Sequence, residues 1–438
     1  MARTAPLDAA WTNWAGNQRS TATAVLRPRT VADVAEAVRA AVAAGARIRP
    51  VGSGHSFTAV ARADDRRMEL TDLDTEVRID RDRHLVTVPA GMPLRRLNAL
   101  LAANGLAMPN LGDIDAQTIA GAISTGTHGT GAAYGCLSTF VEALTLVTGT
   151  GEVLRCSAGE HPDVFAAARV SLGALGVLTD VTLRVVDAFV LRAHERPAPL
   201  AEVLAGLPDL VAGHDHFEFY WFPYTDRVQV KTNDRVPADN RPLPRWRGWL
   251  DDEFLSNTVL GGACRLGRAA PGLVPAISAV SARALTERTY TGRSDTVFCT
   301  PRRVRFTEME YALPRAALPE ALAAVRRIVD GLPFKVQFPV EVRFTAADDI
   351  WLSHGYGRDS AYLAVHQYVG RPYEPYFRAV EEVAADLGGR PHWGKLHWRD
   401  AESLAPAYPR FADFQRLRTR LDPNGIFTSP HLTTVLGH

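Results

Sequence analysis

The chain has 438 residues, 46% hydrophobic and 22% charged, with 49 Lys plus Arg against 48 Asp plus Glu and a formal charge of +1. That balance excludes a nucleic-acid binder held by bulk charge, and the apolar content excludes disordered, collagenous and disulfide-scaffold classes. The length predicts two or three domains, each large enough for its own core. Cys136, Cys156, Cys264 and Cys299 lie far apart without a CxxC pair and read as reduced thiols. Residues 1–10 lack the apolar stretch of a leader, and no run approaches the ~18 apolar residues of a spanning helix. A cytoplasmic protein without a transmembrane segment is the expectation. Lysine occurs only at Lys231, Lys335 and Lys395, so each position invites a reason.

In chain order, Val31, Val34, Ala35, Val38 and Val42 mark one face of a helix that Thr30 caps and Gly45 ends. Residues 47–51 alternate as a short strand that runs into Gly52-Ser53-Gly54-His55-Ser56-Phe57. Residues 85–88 predict a strand, and 93–104 a helix opened by Pro93 and stopped by Asn104-Gly105. After the small-residue region 118–131, a hairpin over 141–147 and 152–156 and a strand over 178–186 close a first domain near residue 187. Aromatic strands at 217–222, 303–311, 340–344 and 361–368 follow, with helices at 316–329 and 376–387, an α+β layer arrangement. A last helix spans 411–421.

Both glycine regions suit a phosphate, because converging backbone N–H groups need small residues around them. A GxxxxGK[ST] loop is absent, and Gly52-Ser53-Gly54 does not continue into GxGxxG, which argues against P-loop and Rossmann sites. Each region also carries a histidine, His55 or His128, a residue that chain reversal alone does not ask for.

The segment Val51-Gly52-Ser53-Gly54-His55-Ser56-Phe57 resembles the flavin-attachment loop of vanillyl-alcohol-oxidase-type FAD enzymes. Thr125-Gly126-Thr127-His128-Gly129 resembles their second pyrophosphate loop, and Ser171 to Val177 a third FAD-contacting segment. Arg390-Pro391-His392-Trp393-Gly394-Lys395 is similar to the aldonolactone and alditol oxidoreductase branch. The resemblance implies a two-domain α+β flavoprotein: an FAD-binding domain over 1–187, a substrate domain with a large mainly antiparallel sheet over 188–395, and a C-terminal segment, 396–438, returning to the first domain. It implies FAD bound covalently through His55, with Val51 to Phe57, Ala90, Thr118, Gly121, Ser124 to His128, Val177 and His392 around the cofactor. It implies no metal and no nucleic acid.

Flavin oxidation of an alcohol moves a hydride to the cofactor and a proton to a base, and leaves negative charge to be stabilised. Glu341 and Arg343 alternate with Val342 and Phe344, so they share one strand face. By the resemblance, Glu341 accepts hydrogen bonds from substrate hydroxyls, Arg343 stabilises the developing alkoxide or the reduced anionic flavin, and Lys395 joins them across the site; a lysine desolvated near Arg343 would have a lowered pKa and could take a proton. His366 and Asp113 replace small hydroxyl residues of the alditol-oxidising relatives, which favours a cyclic sugar-1,4-lactone oxidised at C2 over a simple polyol. Oxygen or a redox acceptor such as a cytochrome or quinone would take the electrons. The methyl group of Ala90 is expected to narrow the approach of oxygen to the flavin. Alditol or other primary-alcohol oxidation, and a flavin-binding protein without turnover, stay open as alternatives. His214, His216 and Glu218 alternate like a metal site, but a half-exposed polar strand face explains them equally.

Overall fold

The computed structural model describes residues 3–4, 10–237, 260–300 and 303–438; the N-terminal stretch read for a leader lies largely outside them. The first helix runs Val31–Ala44, with Thr30 in a capping box with Asp33 and Gly45 left-handed at φ 60°. Losing such a cap costs about 1 kcal/mol. The expected second helix is Leu94–Ala103, with Pro93 as its N-cap rather than its first helical residue.

Three main sheets organise the molecule. A four-stranded sheet orders Arg3–Thr4, Ala24–Arg27, Arg66–Glu69 and Ile48–Val51, its last two pairings parallel. An antiparallel five-stranded sheet orders Val153–Ser157, Val141–Val147, Val177–Arg184, Leu85–Pro89 and Arg78–Asp80. The third is an antiparallel eight-stranded sheet: Arg288–Arg293, Val190–Pro199, Arg227–Val236, His216–Trp221, Val340–Thr345, Ser360–Tyr368, Phe306–Pro314 and Arg390–Pro391.

Period-two alternation gives the large sheet two unlike faces. Phe217, Phe219, Trp221, Val342, Phe344, Met309 and Leu363 form a core with residues of the helices Leu318–Gly331 and Glu374–Asp386. The other face carries Glu195, Lys231, Glu218, Tyr220, Glu341, Arg343, His366, Glu308 and Glu310, brought side by side by register: Glu195 opposite Lys231, Lys231 opposite Glu218, Tyr220 opposite Glu341, Glu308 opposite His366. This face is buried as well, so the strand Val340–Thr345 has no exposed residue. Buried charge on that scale stands only where each group finds a partner.

The C-terminal helices Phe411–Leu421 and Pro430–Leu436 pack Phe414, Leu417, Leu432 and Val435 into the core that holds Val86, Val88 and Leu144. The Ile48 amide donates to the Ile426 carbonyl at 2.8 Å, tying that tail to the strand before the glycine loop.

Candidate active site

A cleft runs along the first two sheets. Val51, Gly52, Ser53, Gly54, His55 and Ser56 line one side, Thr118, Gly121, Ser124 and Thr125 the other, and Gly91 the floor between them. The cleft fits a dinucleotide on two observations. The amides of Ser53, Gly54, His55 and Ser56 meet no acceptor among the described residues, so four consecutive donors are left for a ligand. The two walls also approach so closely that a Cβ on Gly52 would collide with the Thr118 hydroxyl, which is why the loop needs glycine there.

His55 lies over Trp14, ring centroids 5.8 Å apart. Burial, and then the charges of Lys395 and Arg95, push its pKa down to about 4, so the imidazole is neutral at neutral pH.

The remaining expected cofactor residues lie off this wall. Phe57 is buried, and its amide donates to the Gly394 carbonyl at 2.6 Å. Gly126 is left-handed at φ 71°, and a Cβ there would meet the His354 ring at 2.7 Å. Thr127 accepts a hydrogen bond from Gln117 at 3.1 Å. His128 stacks on Tyr362 and faces Glu310 at 3.2 Å, while His392 stacks on His354. Val177 belongs to the small core around Val38 and Val147. Ala90 has no exposed surface: its amide and carbonyl bond Thr179 and Ala120, and its methyl lies in the core while Gly91 lines the cleft.

The charged face of the large sheet forms the second half of the site. Arg343 donates through Nε to Glu218 at 2.9 Å, and its Nη2 contacts both Asp113 and Glu341. Lys231 faces the other oxygen of Glu218 at 3.4 Å, and the Tyr220 hydroxyl donates to Glu341 at 2.8 Å. Three carboxyls therefore share two cations. Desolvation, only partly offset by Arg343 and reinforced by Asp113 and Glu218, raises Glu341 to about 7.

Carboxylate and imidazole atoms of Glu341, Glu308 and His366 lie within 4.8 Å of one another, joining this cluster to a second one. There Lys395 pairs with Glu308, whose other oxygen faces His366 at 3.5 Å. Desolvation would raise Glu308, but the charges of Lys395 and His366 hold it well below the usual carboxylate range. The partner of Lys395 is thus the carboxylate of Glu308, a residue the sequence reading had not placed beside it. Its ammonium also sits 5.1 Å over the Phe57 ring, so the cluster adjoins the His55 loop.

Glu341, Arg343, Asp113, His366 and Lys395 are accordingly brought to one layer. Sequence reasoning missed Glu308, Glu310, Lys231, Tyr220 and Glu195. The available signal was Glu308-Met309-Glu310, two acids sharing one face of an otherwise apolar strand. His214, His216 and Glu218 do not converge: His214 bonds Asp234 at 2.9 Å, His216 bonds the Thr130 carbonyl at 2.8 Å, and Glu218 serves Arg343. Their strand face is buried, not half-exposed, at His216 and Glu218.

The comparisons agree with this division of labour. Residues 22–157 match the family described as FAD binding domain, and residues 181–435 the family described as D-arabinono-1,4-lactone oxidase. The chain is 44% identical over 427 residues to L-gulono-1,4-lactone dehydrogenase of Mycobacterium tuberculosis, covering 98% of this chain and 99% of the relative. It is 34% identical to L-gulonolactone oxidase of Bos taurus, covering 97% of each chain. It is also 34% identical to alditol oxidase of a Streptomyces species, covering 98% of this chain and all of the relative. Among solved structures, cholesterol oxidase from Brevibacterium sterolicum superposes with a TM-score of 0.82 at 19% identity, covering 99% of this chain and 97% of that one; it speaks for the fold.

Proposed function

Because the chain belongs to the D-arabinono-1,4-lactone oxidase family of FAD-dependent oxidoreductases, we propose that it oxidises the C2 hydroxyl of a sugar-1,4-lactone of the gulono, galactono or arabinono type. The observation that carries this reading is the meeting of Glu341, Arg343 and Asp113 with Glu308, His366 and Lys395 in one buried polar layer beside the His55 loop. Relatives named for gulono- and arabinono-lactone support the substrate class.

Bound FAD supplies the two-electron acceptor for the hydride leaving C2. The four free amides of the 53–56 loop would hold its phosphates, and the neutral His55 imidazole at the cleft would be the nucleophile for a covalent attachment. Glu341 accepts a hydrogen bond from the hydroxyl being oxidised and takes its proton, because its affinity for protons lies near neutrality. Arg343, fixed from three sides by carboxylates, presents a preorganised cation to the charge that develops. Lys395, held by Glu308, supplies a second positive charge on the His55 side. His366 and Asp113 offer charged or ring-nitrogen partners where a polyol site would place hydroxyls, and so favour a ring-closed lactone.

The released electrons pass to oxygen or to a redox acceptor such as a cytochrome or quinone. Four cysteines without a disulfide suit a reducing compartment and support a cytoplasmic setting. Among the described residues no helix is long and apolar enough to cross a membrane.

Anaerobic titration of the purified yellow protein with gulono-, galactono- and arabinono-1,4-lactone and with alditols tests the reading. Bleaching of the flavin band by a lactone supports it. Bleaching by alditols alone transfers the protein to polyol oxidation, and bleaching by neither removes the catalytic claim.

A further inference from the structure

Two of the three lysines have visible roles: Lys395 pairs with Glu308, and Lys335 sits 5.2 Å over the Tyr224 ring. Lys231 is the third, and the oxidation chemistry does not use it. It lies in the charged layer, opposite Glu195 on one neighbouring strand and Glu218 on the other. Glu195 has little capacity left for it. One oxygen of Glu195 accepts from Gln229 Nε2 at 2.9 Å and Arg288 Nε at 2.8 Å, and the other accepts from Arg288 Nη2 at 2.9 Å and the Tyr290 hydroxyl at 3.2 Å. Glu218 gives its Oε2 to Arg343 and leaves Lys231 an ion pair with Oε1 at 3.4 Å.

The ammonium therefore keeps donors to spare. It carries three N–H groups, and beyond the Glu218 pair no acceptor among the described residues takes one of them. Burial would strip its proton, but the charges of Glu218, Tyr290 and Glu195 hold its pKa above the usual lysine range, so it stays charged. Its side chain is also 14% exposed where those of Glu218 and Glu195 are 4% and 5%, so it is the member of this group that opens outward. Buried donors of this kind are met by a ligand or by water.

Strand order says which end of a substrate it would meet. The strand of Glu341 and Arg343 has the strand of Lys231 two places to one side and the strand of Glu308, which holds Lys395, two places to the other. Lys395 adjoins the His55 loop through Phe57, so Lys231 marks the flank away from the flavin, about 10 Å from the Glu341 strand. A lactone with its C2 hydroxyl at Glu341 and its C2 hydrogen toward the flavin extends its exocyclic tail to that flank. We infer that Lys231 is a specificity-determining residue whose ammonium donates to the terminal C6 hydroxyl of a hexono-1,4-lactone, an inference that rests on the C2-oxidation reading above. Gulono- and galactono-1,4-lactone carry this hydroxyl on a two-carbon glycol tail, whereas arabinono-1,4-lactone ends at C5 and lacks it. A compact ammonium with three rotatable donors suits such a tail better than the planar fork of arginine, the cation this chain uses almost everywhere else.

The experiment is anaerobic stopped-flow reduction of the FAD-loaded protein by gulono-1,4-lactone, 6-deoxygulono-1,4-lactone and arabinono-1,4-lactone, in wild type and in Lys231→Met, with an apparent Kd and a limiting rate for each. In wild type, loss of the C6 hydroxyl is expected to raise Kd roughly 10- to 100-fold, the worth of a hydrogen bond to a charged group, with the limiting rate within about threefold. In Lys231→Met the gulono and 6-deoxy compounds should bind alike, both as weakly as the 6-deoxy compound binds wild type. The wild-type arm needs no variant, so it decides the matter even if Lys231→Met folds poorly; flavin content and thermal unfolding check that variant. Wild-type Kd values within about twofold for the gulono and 6-deoxy compounds overturn the inference. An equal loss for all three lactones in Lys231→Met overturns it too, and makes Lys231 a support of Arg343 through Glu218. If no lactone bleaches wild type, the C2-oxidation reading itself fails and takes the inference with it.

Discussion

Arg343→Ala is the sharpest test of the active-site reading. Asp113, Glu218 and Glu341 share Arg343 and Lys231; removing the guanidinium leaves one cation to three carboxyls. A lost preorganised charge lowers the rate on the order of 10²- to 10³-fold, about 2.7–4 kcal/mol of barrier. Stability falls too, by about 3–5 kcal/mol for a broken buried ion cluster, and Arg343 is buried enough that solvent screening removes little of this. Protonation offsets part of the loss. Glu341 is already raised to about 7, and the carboxyls left without Arg343 relieve their repulsion by holding protons that the unfolded chain has released. A carboxyl raised in the folded state gives stability at low pH that is lost as pH rises through its folded value, so the variant is hurt more at pH 8 than at pH 6. Stopped-flow anaerobic reduction, flavin content and thermal unfolding at both pH values measure the three effects. Reduction within about threefold of wild type at full flavin content would refute the role of Arg343, being far below the effect of a lost preorganised charge.

Replacing Lys395 with Met is expected to slow flavin reduction on the order of 10²-fold while leaving FAD content intact, and near-normal reduction takes Lys395 out of the mechanism. Wild-type flavin reduction at limiting substrate should rise with pH through about 7 as Glu341 ionises, and Glu341→Gln should flatten that rise as well as weaken binding; an unchanged pH profile assigns the titration elsewhere. Acid precipitation should leave the yellow colour in the wild-type pellet and release it from His55→Ala; full release from wild type means the flavin is not covalently held. Since Ala90 presents no surface to the cleft, Ala90→Gly and wild type are expected to reoxidise with oxygen at the same rate, and a faster variant would restore Ala90 as a gate.

Much of the fold was legible because local signals and packing agree. Thr30 and Gly45 bracket a helix whose apolar face is buried, and strand 340–345 keeps its alternation. The charged layer was only half legible for a physical reason. Period-two alternation says that Glu308 and Glu310 share a face, yet it reads that face as solvated, the usual fate of acids on a strand. Burial of the polar face depends on what covers it: Asp113, whose carbonyl accepts from Thr300 at 2.9 Å, comes from the first half of the chain, and His128 from the second glycine region. The same limit explains His216, whose partner is a carbonyl 86 residues away. The resemblance of the 390–395 segment and the rarity of lysine pointed to Lys395, but its pairing with Glu308 depends on the strand pairing that sets Arg390–Pro391 beside Phe306–Pro314.

The hydrogen bond from Phe57 to Gly394, with the clasp of Ile48 on Ile426, also sets an order of events during biosynthesis. The loop that would hold the flavin leaves the ribosome early, since synthesis delivers the N-terminal part first, whereas Gly394, Lys395 and Ile426 emerge near the end. A nascent chain that stops before Gly394 lacks the carbonyl that holds the Phe57 amide, and it lacks Lys395, whose charge adds to burial in lowering the His55 pKa. The loop that would hold the flavin therefore reaches its final packing only once residues 394 and 426, more than three hundred positions further along the chain, have been made.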